Sequence, residues 1–207
     1  ELCKLDFHWI RLHYLYPEWI DDRLIDVIAR EDKILKYLDI PLQHCNDKIL
    51  KKMNRRGDKK YLCALLDKLR ERIPGLVLRT SIIAGLPGEG EEEFDELCDF
   101  LREQKLLRAG VFPYSPEEGT RAAKMERVDS DEAARRAERI VDIQSEIIDA
   151  WNDERQGDVM EVLCEGFDGQ SMLFVGRSYA ESPDIDGRIY FSAPRDVAAG
   201  EFVPVRI

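Results

Sequence analysis

The 207-residue sequence predicts an α/β fold, in which an incomplete parallel β/α barrel precedes a small antiparallel β-barrel. Strand-like and helix-like segments alternate as far as about residue 115, which is typical of parallel βαβ units. After a long helical segment, the pattern changes to short strands separated by glycine-containing turns. A complete eight-unit barrel takes about 250 residues. Four repeating units therefore predict either part of a barrel or a small open sheet.

The first half of the sequence is expected to supply four strands and four helices. Apolar segments with the length and spacing of strands lie at residues 9–15, 36–42, 76–83 and 111–114. Leucine and isoleucine recur at helical spacing in four further segments, which begin at Asp21 or Asp22, at Asn46, at Lys59 and at Glu91. Pro41 has no backbone N–H, so we expect it near the end of the second strand.

The second half is expected to open with a long helix. Asp129 and Glu132 have the spacing of a capping box, and the apolar stripe that follows runs to about Asn152. Strand-like segments then lie at residues 159–165, 172–176, 188–192 and 202–207. We therefore expect two domains, one at residues 1–144 and a second at residues 145–207.

Composition excludes several classes of protein. The hydrophobic fraction of 44% is enough for a packed core, and no apolar run approaches the roughly 18 residues of a membrane span. The net charge of −11 disfavours general nucleic-acid binding, and it favours either a basic partner or simple solubility. The first residue, Glu1, is not Met, so the sequence is expected to begin inside a longer protein. It shows no leader-like segment, and the protein is expected to be cytoplasmic.

The spacing of cysteine and histidine predicts that the chain holds no metal ion. No two cysteines form a C-x-x-C pair, and no two histidines lie four residues apart. An odd, scattered set of cysteines with no secretion signal is typical of reduced thiols in the cytosol. The five cysteines are Cys3, Cys45, Cys63, Cys98 and Cys164.

Candidate binding residues lie where the predicted strands end, because parallel barrels bind ligands at the carboxyl ends of their strands. Four loops qualify, at residues 16–18, 43–46, 84–89 and 114–116. Gln43 and His44 could hydrogen-bond ribose hydroxyls, and Gly85 could let backbone amides approach a ligand closely. Arg79 could meet a carboxylate. Each residue also has a structural interpretation, as a turn glycine, a satisfied loop residue or half of a structural ion pair.

Longer stretches are more specific than these single residues. The stretches YLDIPLQHCNDKILKKMNRRG, RTSIIAGLPGEGEEEF and VFPYSPEEGT together resemble the second half of a radical-SAM methylthiotransferase core. The stretch EVLCEGFDGQSMLFVGRSYAESPDIDGRIYF resembles a TRAM domain. Within that family, VFPYSPEEGT and GRSYAESPDIDG are similar to the branch that modifies ribosomal protein S twelve.

The resemblance implies a transferase that adds a methylthio group to the β-carbon of an aspartate in ribosomal protein S twelve. It implies S-adenosylmethionine and two 4Fe-4S clusters as cofactors of the full-length protein. The C-x-x-x-C-x-x-C motif for a cluster does not occur in these residues. We therefore expect no catalytic or metal-ligating residue here and an inactive fragment. The implied S-adenosylmethionine pocket residues are Gln43, His44, Arg79, Gly85 and Ser115.

Charge favours a protein substrate over the transfer-RNA substrate of related enzymes. From Asp158 onward, nine acidic residues face four basic ones, a net charge of −5. A domain that docks RNA is usually basic, whereas a basic ribosomal protein is attracted by an acidic one. Two alternatives remain open: a methylthiotransferase for transfer-RNA adenosine, and a non-catalytic module that binds a partner through its β-domain.

Overall fold

A computed structural model describes all residues from Glu1 to Ile207. The chain divides into two compact units, Glu1–Asp149 and Ala150–Ile207. The division falls within one long helix, α5 (Ser130–Asp153). This helix begins as its capping residues predict, because the Glu132 amide donates a 2.8 Å hydrogen bond to the Asp129 side chain. No helix of the chain is both long enough and apolar enough to cross a membrane.

The first unit is built on a four-stranded parallel sheet. Its strands are β1 (Ile10–Leu12), β2 (Ile34–Asp39), β3 (Val77–Ala84) and β4 (Arg108–Pro113). They lie side by side in chain order, and all three neighbouring pairs are parallel. A doubly wound sheet reverses its strand order at a switch point, whereas a barrel does not. The predicted parallel β/α fold is therefore confirmed, with β1 and β4 as its outer strands.

Four helices pack on one face of this sheet. They are α1 (Asp22–Arg30), α2 (Asp47–Lys52), α3 (Lys59–Arg72) and α4 (Glu91–Gln104). The first three begin where the sequence predicts because a side-chain oxygen accepts a backbone hydrogen bond in the first turn. These capping residues are Asp21, Asn46 and Asp58. Short 3-10 turns complete the unit at Leu2–Lys4, Pro17–Trp19 and Ala122–Lys124.

Strand side chains alternate between the helix-packed face and the opposite face of the parallel sheet. Leu38 of β2 and Leu78 of β3 lie in the main apolar core together with leucines of the helices. Their neighbours Asp39 and Arg79 consequently point to the opposite face. We call this face the inner face, because it would line the interior of a barrel.

The second unit is a four-stranded antiparallel sheet. Its strands are β5 (Val159–Asp168), β6 (Leu173–Arg177), β7 (Ile189–Phe191) and β8 (Phe202–Arg206), in the order β7-β6-β5-β8. The register shifts between Cys164 and Gly166, as in a β-bulge. Phe191 and Val203, from the two outer strands, share one small core. The sheet therefore curls, as expected of the predicted small antiparallel domain.

Candidate functional site

Four loops follow the carboxyl ends of the parallel strands and so share one edge of the sheet, which we call the rim. Backbone hydrogen bonds join three of them to their neighbours. Gln43 N donates to Ser81 O at 2.8 Å, Ile83 N donates to Gln43 O at 3.0 Å, and Tyr114 N donates to Ala84 O at 2.7 Å. The predicted convergence of these loops at one edge is confirmed.

Gln43 is held at the rim in an unusual backbone conformation. Its φ is +71°, in the left-handed region that non-glycine residues seldom occupy. A parallel bridge to Ile82 fixes this geometry. The side chain is half-buried, and its amide has no hydrogen-bond partner within the chain. Strain of this kind persists where the surrounding structure imposes it, often at binding sites.

His44, the next residue, faces the protein interior. Its side chain is 0% exposed, and Asn46 N donates a 2.9 Å hydrogen bond to its Nδ1. Since Nδ1 accepts, the neutral ring carries its proton on Nε2. Nε2 lies 3.4 Å from Oε2 of Glu89. The imidazole therefore faces a carboxylate of the neighbouring loop and has no surface at the rim.

Glu89 joins several elements through a buried carboxylate whose side chain is 0% exposed. Oε1 accepts 2.9 Å hydrogen bonds from Gly85 N and Arg136 Nη1, and Oε2 accepts one of 3.3 Å from Leu86 N. Burial acts to raise the pKa of Glu89, but the adjacent His44 ring and hydrogen bonds from Arg136 and Gly85 outweigh it and lower the pKa below its usual value. Glu89 is therefore an anion that holds the turn after β3.

Arg136 brings helix α5 into the same network. Its Nη1 donates to the carbonyl oxygens of Glu89 and Gly90, both at 3.2 Å, and its Nε donates to Glu132 at 2.9 Å. Gly85 fits closely at this point, because a Cβ added there would lie 2.5 Å from Cβ of Ala133. The φ of Gly85 is +81°, which also favours glycine. Gly85 therefore makes room for α5, and its N–H is occupied by Glu89.

The structure separates the other two predicted site residues from this network. Arg79 lies five positions before the last residue of β3, on the inner face, where Nη1 donates to Asp39 Oδ1 at 3.0 Å. Ser115 is exposed in the loop after β4 and has no hydrogen-bond partner within the chain. The rim thus brings together Gln43, His44 and Gly85, while Arg79 lies deeper and Ser115 lies further out.

Sequence reasoning missed three residues that organise this region: Asp39, Glu89 and Arg136. Asp39 ends an apolar strand, and Glu89 follows the glycine-rich turn; an acid at either place is a weak signal of a buried anion. Arg136 carries no signal, because arginines on a helix are usually exposed.

The chain offers no cluster-binding site. No group of three or more His, Cys, Asp or Glu side chains is arranged to hold a metal ion, and all five cysteines are separate free thiols. Burial raises the pKa of the Cys45 thiol far above its usual value, which disfavours the thiolate that metals bind. The residues present therefore do not fit a 4Fe-4S cluster.

Comparison with protein families gives two matches. The model of the Radical SAM superfamily matches residues 1–101, and that of the TRAM domain matches residues 157–207. The chain belongs to the radical SAM superfamily and carries a TRAM domain. The radical SAM match covers the first three strands of the parallel sheet, and the TRAM match covers the antiparallel sheet.

Relatives similar over nearly the whole chain are named ribosomal protein uS12 methylthiotransferase RimO. The one from Acetivibrio thermocellus is 46% identical over 96% of this chain and 44% of its own length. The one from Symbiobacterium thermophilum is 46% identical over 100% of this chain and 44% of its own length. The one from Pelotomaculum thermopropionicum is 48% identical over 96% of this chain and 45% of its own length. The chain thus spans less than half the length of these relatives.

A solved structure supports the fold alone. Coproporphyrinogen III oxidase (HemN) from Escherichia coli, described as a radical SAM enzyme, superposes with a TM-score of 0.50 over 77% of this chain and 34% of its own. The sequence identity is 22%. A parallel β/α sheet of this kind is therefore shared between proteins of very different sequence.

Proposed function

We propose that this chain is part of a radical-SAM methylthiotransferase that modifies an aspartate of ribosomal protein uS12. The observation that carries the proposal is the set of relatives, 41–48% identical over nearly all of the chain, that are named RimO. The activity belongs to the longer protein, because the chain spans less than half of those relatives. Fold similarity alone would not support it, since one fold hosts many reactions.

The rim is the proposed binding site for the nucleoside part of S-adenosylmethionine. The unpartnered amide of Gln43 offers a donor and an acceptor for ribose hydroxyls, and Ser115 offers a hydroxyl on the loop after β4. His44 and Gly85 shape this site from behind, through Glu89 and α5. Arg79 lies outside this nucleoside site, on the inner face, and is proposed to bind a carboxylate. With a 4Fe-4S cluster, S-adenosylmethionine supplies one-electron chemistry and a methyl group.

The clusters belong to residues outside this chain in the proposal. We expect anaerobic reconstitution of the 207-residue chain with iron and sulfide to give no 4Fe-4S absorbance and no cleavage of S-adenosylmethionine. The full-length protein, reconstituted in parallel, is the positive control. A stoichiometric cluster in the isolated chain would contradict the assignment of the ligands to the remaining part.

The TRAM domain is the proposed docking site for the basic substrate. Its net charge of −5 attracts a positively charged protein and repels the phosphates of RNA. We expect uS12 to bind the chain more weakly as salt is raised, since opposite charges are screened. An isolated anticodon stem-loop should bind weakly at every salt concentration.

Activity tests the proposal directly. The full-length, cluster-loaded protein is incubated with S-adenosylmethionine, a reductant, sulfide and either uS12 or transfer RNA. We expect a methylthio group to replace one hydrogen on a single aspartate of uS12, with the corresponding mass increase located by tandem mass spectrometry. Methylthio-adenosine in the transfer RNA, with unmodified uS12, would instead support the RNA-modifying alternative. No modification of either would leave a binding module as the better description.

A further inference from the structure

The inner face of the parallel sheet is polar at mid-depth. Closed β/α barrels usually fill this region with bulky, branched apolar side chains. Here Arg11 lies over the ring of Tyr37, with 4.1 Å from its Cζ to the ring centroid. His13 directly follows β1, Asp39 ends β2, and Arg79 lies on β3, next to Asp39. A polar lining at this depth indicates that the face receives a polar ligand.

Asp39 and Arg79 form the centre of this lining. They are direct register partners on β2 and β3, and Arg79 Nη1 lies 3.0 Å from Asp39 Oδ1. The Asp39 side chain is 1% exposed, and its other oxygen lies 3.6 Å from His13 Nδ1. A buried ion pair contributes little net stability, because desolvation of the charges offsets their attraction. Its presence on this face points to a role in binding.

Arg79 has donors to spare after it has paired with Asp39. Guanidinium carries five N–H donors, and only one hydrogen bond, to Asp39, is formed within the chain. Space beside its Nη2 is kept open by Gly110 of β4, where an added Cβ would lie only 3.2 Å from that nitrogen. The side chain retains 12% exposure, so one edge of the guanidinium can reach a ligand.

The unused N–H donors of Arg79 favour an anion, because a guanidinium is a cation that offers donors and no acceptor. A single guanidinium fixed by a carboxylate matches the two oxygens of one further carboxylate.

We propose that Arg79, positioned by Asp39, binds the side-chain carboxylate of the aspartate that is modified. This inference rests on the proposed function and names the group that distinguishes the substrate from an uncharged analogue. Asparagine in place of that aspartate would leave the remaining donors of the guanidinium without an anionic acceptor in a partly desolvated site. The same chemistry is present in the amino-acid carboxylate of S-adenosylmethionine, so the test must separate the two ligands.

The first experiment measures binding to the full-length, cluster-loaded protein. The ligands are a uS12 peptide with its aspartate, the same peptide with asparagine, and S-adenosylmethionine. We expect Arg79→Gln to weaken binding of the aspartate peptide by roughly 50-fold or more. The variant should also lose the preference of the protein for the aspartate peptide over the asparagine peptide. The Kd for S-adenosylmethionine should change less than about twofold, because the cofactor uses other groups.

Matched variants keep this result interpretable. Arg79→Gln leaves Asp39 buried without its partner, so Arg79→Gln combined with Asp39→Asn is made as well, which replaces the ion pair by a neutral one. Arg79→Lys keeps the charge but loses the bidentate geometry. We expect it to retain part of the preference for the aspartate peptide that Arg79→Gln loses. Arg23→Gln, on the exposed face of α1, is the control and should change neither affinity.

Two outcomes overturn the inference. If the neutral double variant still prefers the aspartate peptide as strongly as the wild type, Arg79 does not bind the substrate carboxylate. If the Kd for S-adenosylmethionine instead rises tenfold or more with that preference intact, the bound carboxylate is that of the cofactor.

A second readout does not depend on activity. In the 207-residue chain, the Arg79 Nε–Hε signal is followed by NMR during titration with N-acetyl-aspartyl amide or N-acetyl-asparaginyl amide. We expect a saturable shift with the aspartyl compound alone; equal shifts, or none, count against the inference. If the wild-type enzyme fails to modify uS12 while this shift is present, the proposed function fails and the carboxylate site stands. If uS12 is modified but the Arg79 signal does not shift, the proposed function stands and the carboxylate site is ruled out.

Discussion

The radical SAM unit and the TRAM unit place their charged residues differently. In the first, Glu89 and Arg136 form an ion pair with side-chain exposures of 0% and 5%, and it joins the turn after β3 to a helix. In the second, Arg177 and Glu165 form a pair of similar length, 2.8 Å, between two neighbouring strands near the surface. Pairs of similar length are therefore expected to differ in their effect on stability, because burial decides how much an unpaired charge costs.

This difference has a functional counterpart. Buried pairs in the radical SAM unit fix the loops and the inner face where small ligands are proposed to bind. In the TRAM unit, most acidic side chains are at least partly exposed, with Glu181 as the buried exception, and they are proposed to act together as a field on a partner. In the proposal, the first unit therefore depends on geometry and the second on charge.

The largest expected effect comes from breaking the buried pair. Glu89→Ala should destabilise the radical SAM unit by about 3 kcal/mol, because it leaves Arg136 without its buried carboxylate partner and the Gly85 amide without an acceptor. Urea denaturation followed by NMR signals of each unit measures this. Glu165→Ala, which breaks the surface pair in the TRAM unit, is the matched control and should cost less than about 1 kcal/mol. Equal losses would remove the contrast between the two units.

A glycine comparison should give the next largest effect. Gly85→Ala places a Cβ 2.5 Å from the Ala133 Cβ at a φ of +81°, and we expect a loss of roughly 2–4 kcal/mol. Gly169→Ala in the TRAM unit meets nothing within 4 Å and has no positive φ, so its effect should stay within about 0.5 kcal/mol. Thermal unfolding of both variants tests this, and a mild Gly85→Ala would show that α5 can move away.

Lowering the pH should produce a smaller, gradual loss of stability in the radical SAM unit. The pKa of Glu89 is lower in the folded chain than its ordinary value of 4.5, so its contribution to stability is present above that pH. The contribution is lost as the pH falls through the lowered pKa. Glu89→Gln should remove this part of the acid sensitivity in urea unfolding between pH 7 and pH 3.

The smallest expected effect is a difference between the two units in how salt changes the titration of a paired carboxylate. In the TRAM unit, hydrogen bonding from Arg195 lowers the pKa of Glu201, and both residues lie at the surface. We expect 0.5 M salt, roughly a 4 Å screening length, to weaken the effect of Arg195 on the titration of Glu201. Glu89 should titrate with little dependence on salt because it is buried. NMR titration of both carboxyl carbons checks this, and equal sensitivity to salt would contradict it.

Local sequence determined the elements of this protein. Asp21, Asn46 and Asp129 mark the starts of three helices because each carries an oxygen that can accept an orphan amide of the first turn. Alternation of strands and helices was enough to predict the parallel sheet, and glycine-containing turns were enough to predict the antiparallel one. These features depend on neighbours within a few residues, so they can be predicted from the sequence alone.

Only the tertiary structure decided which charges are buried together. Glu89 and Arg136 are 47 positions apart, and Asp39 and Arg79 are 40 apart. Their meeting depends on strand register and on the placement of α5, neither of which periodicity specifies. The same holds for His44, whose sequence neighbours suggested a rim ligand but whose ring faces Glu89 inside the protein. The sequence does not distinguish an ionisable side chain that is hydrated from one that is buried. The two differ in free energy because, in the buried case, distant segments of the chain have removed the surrounding water.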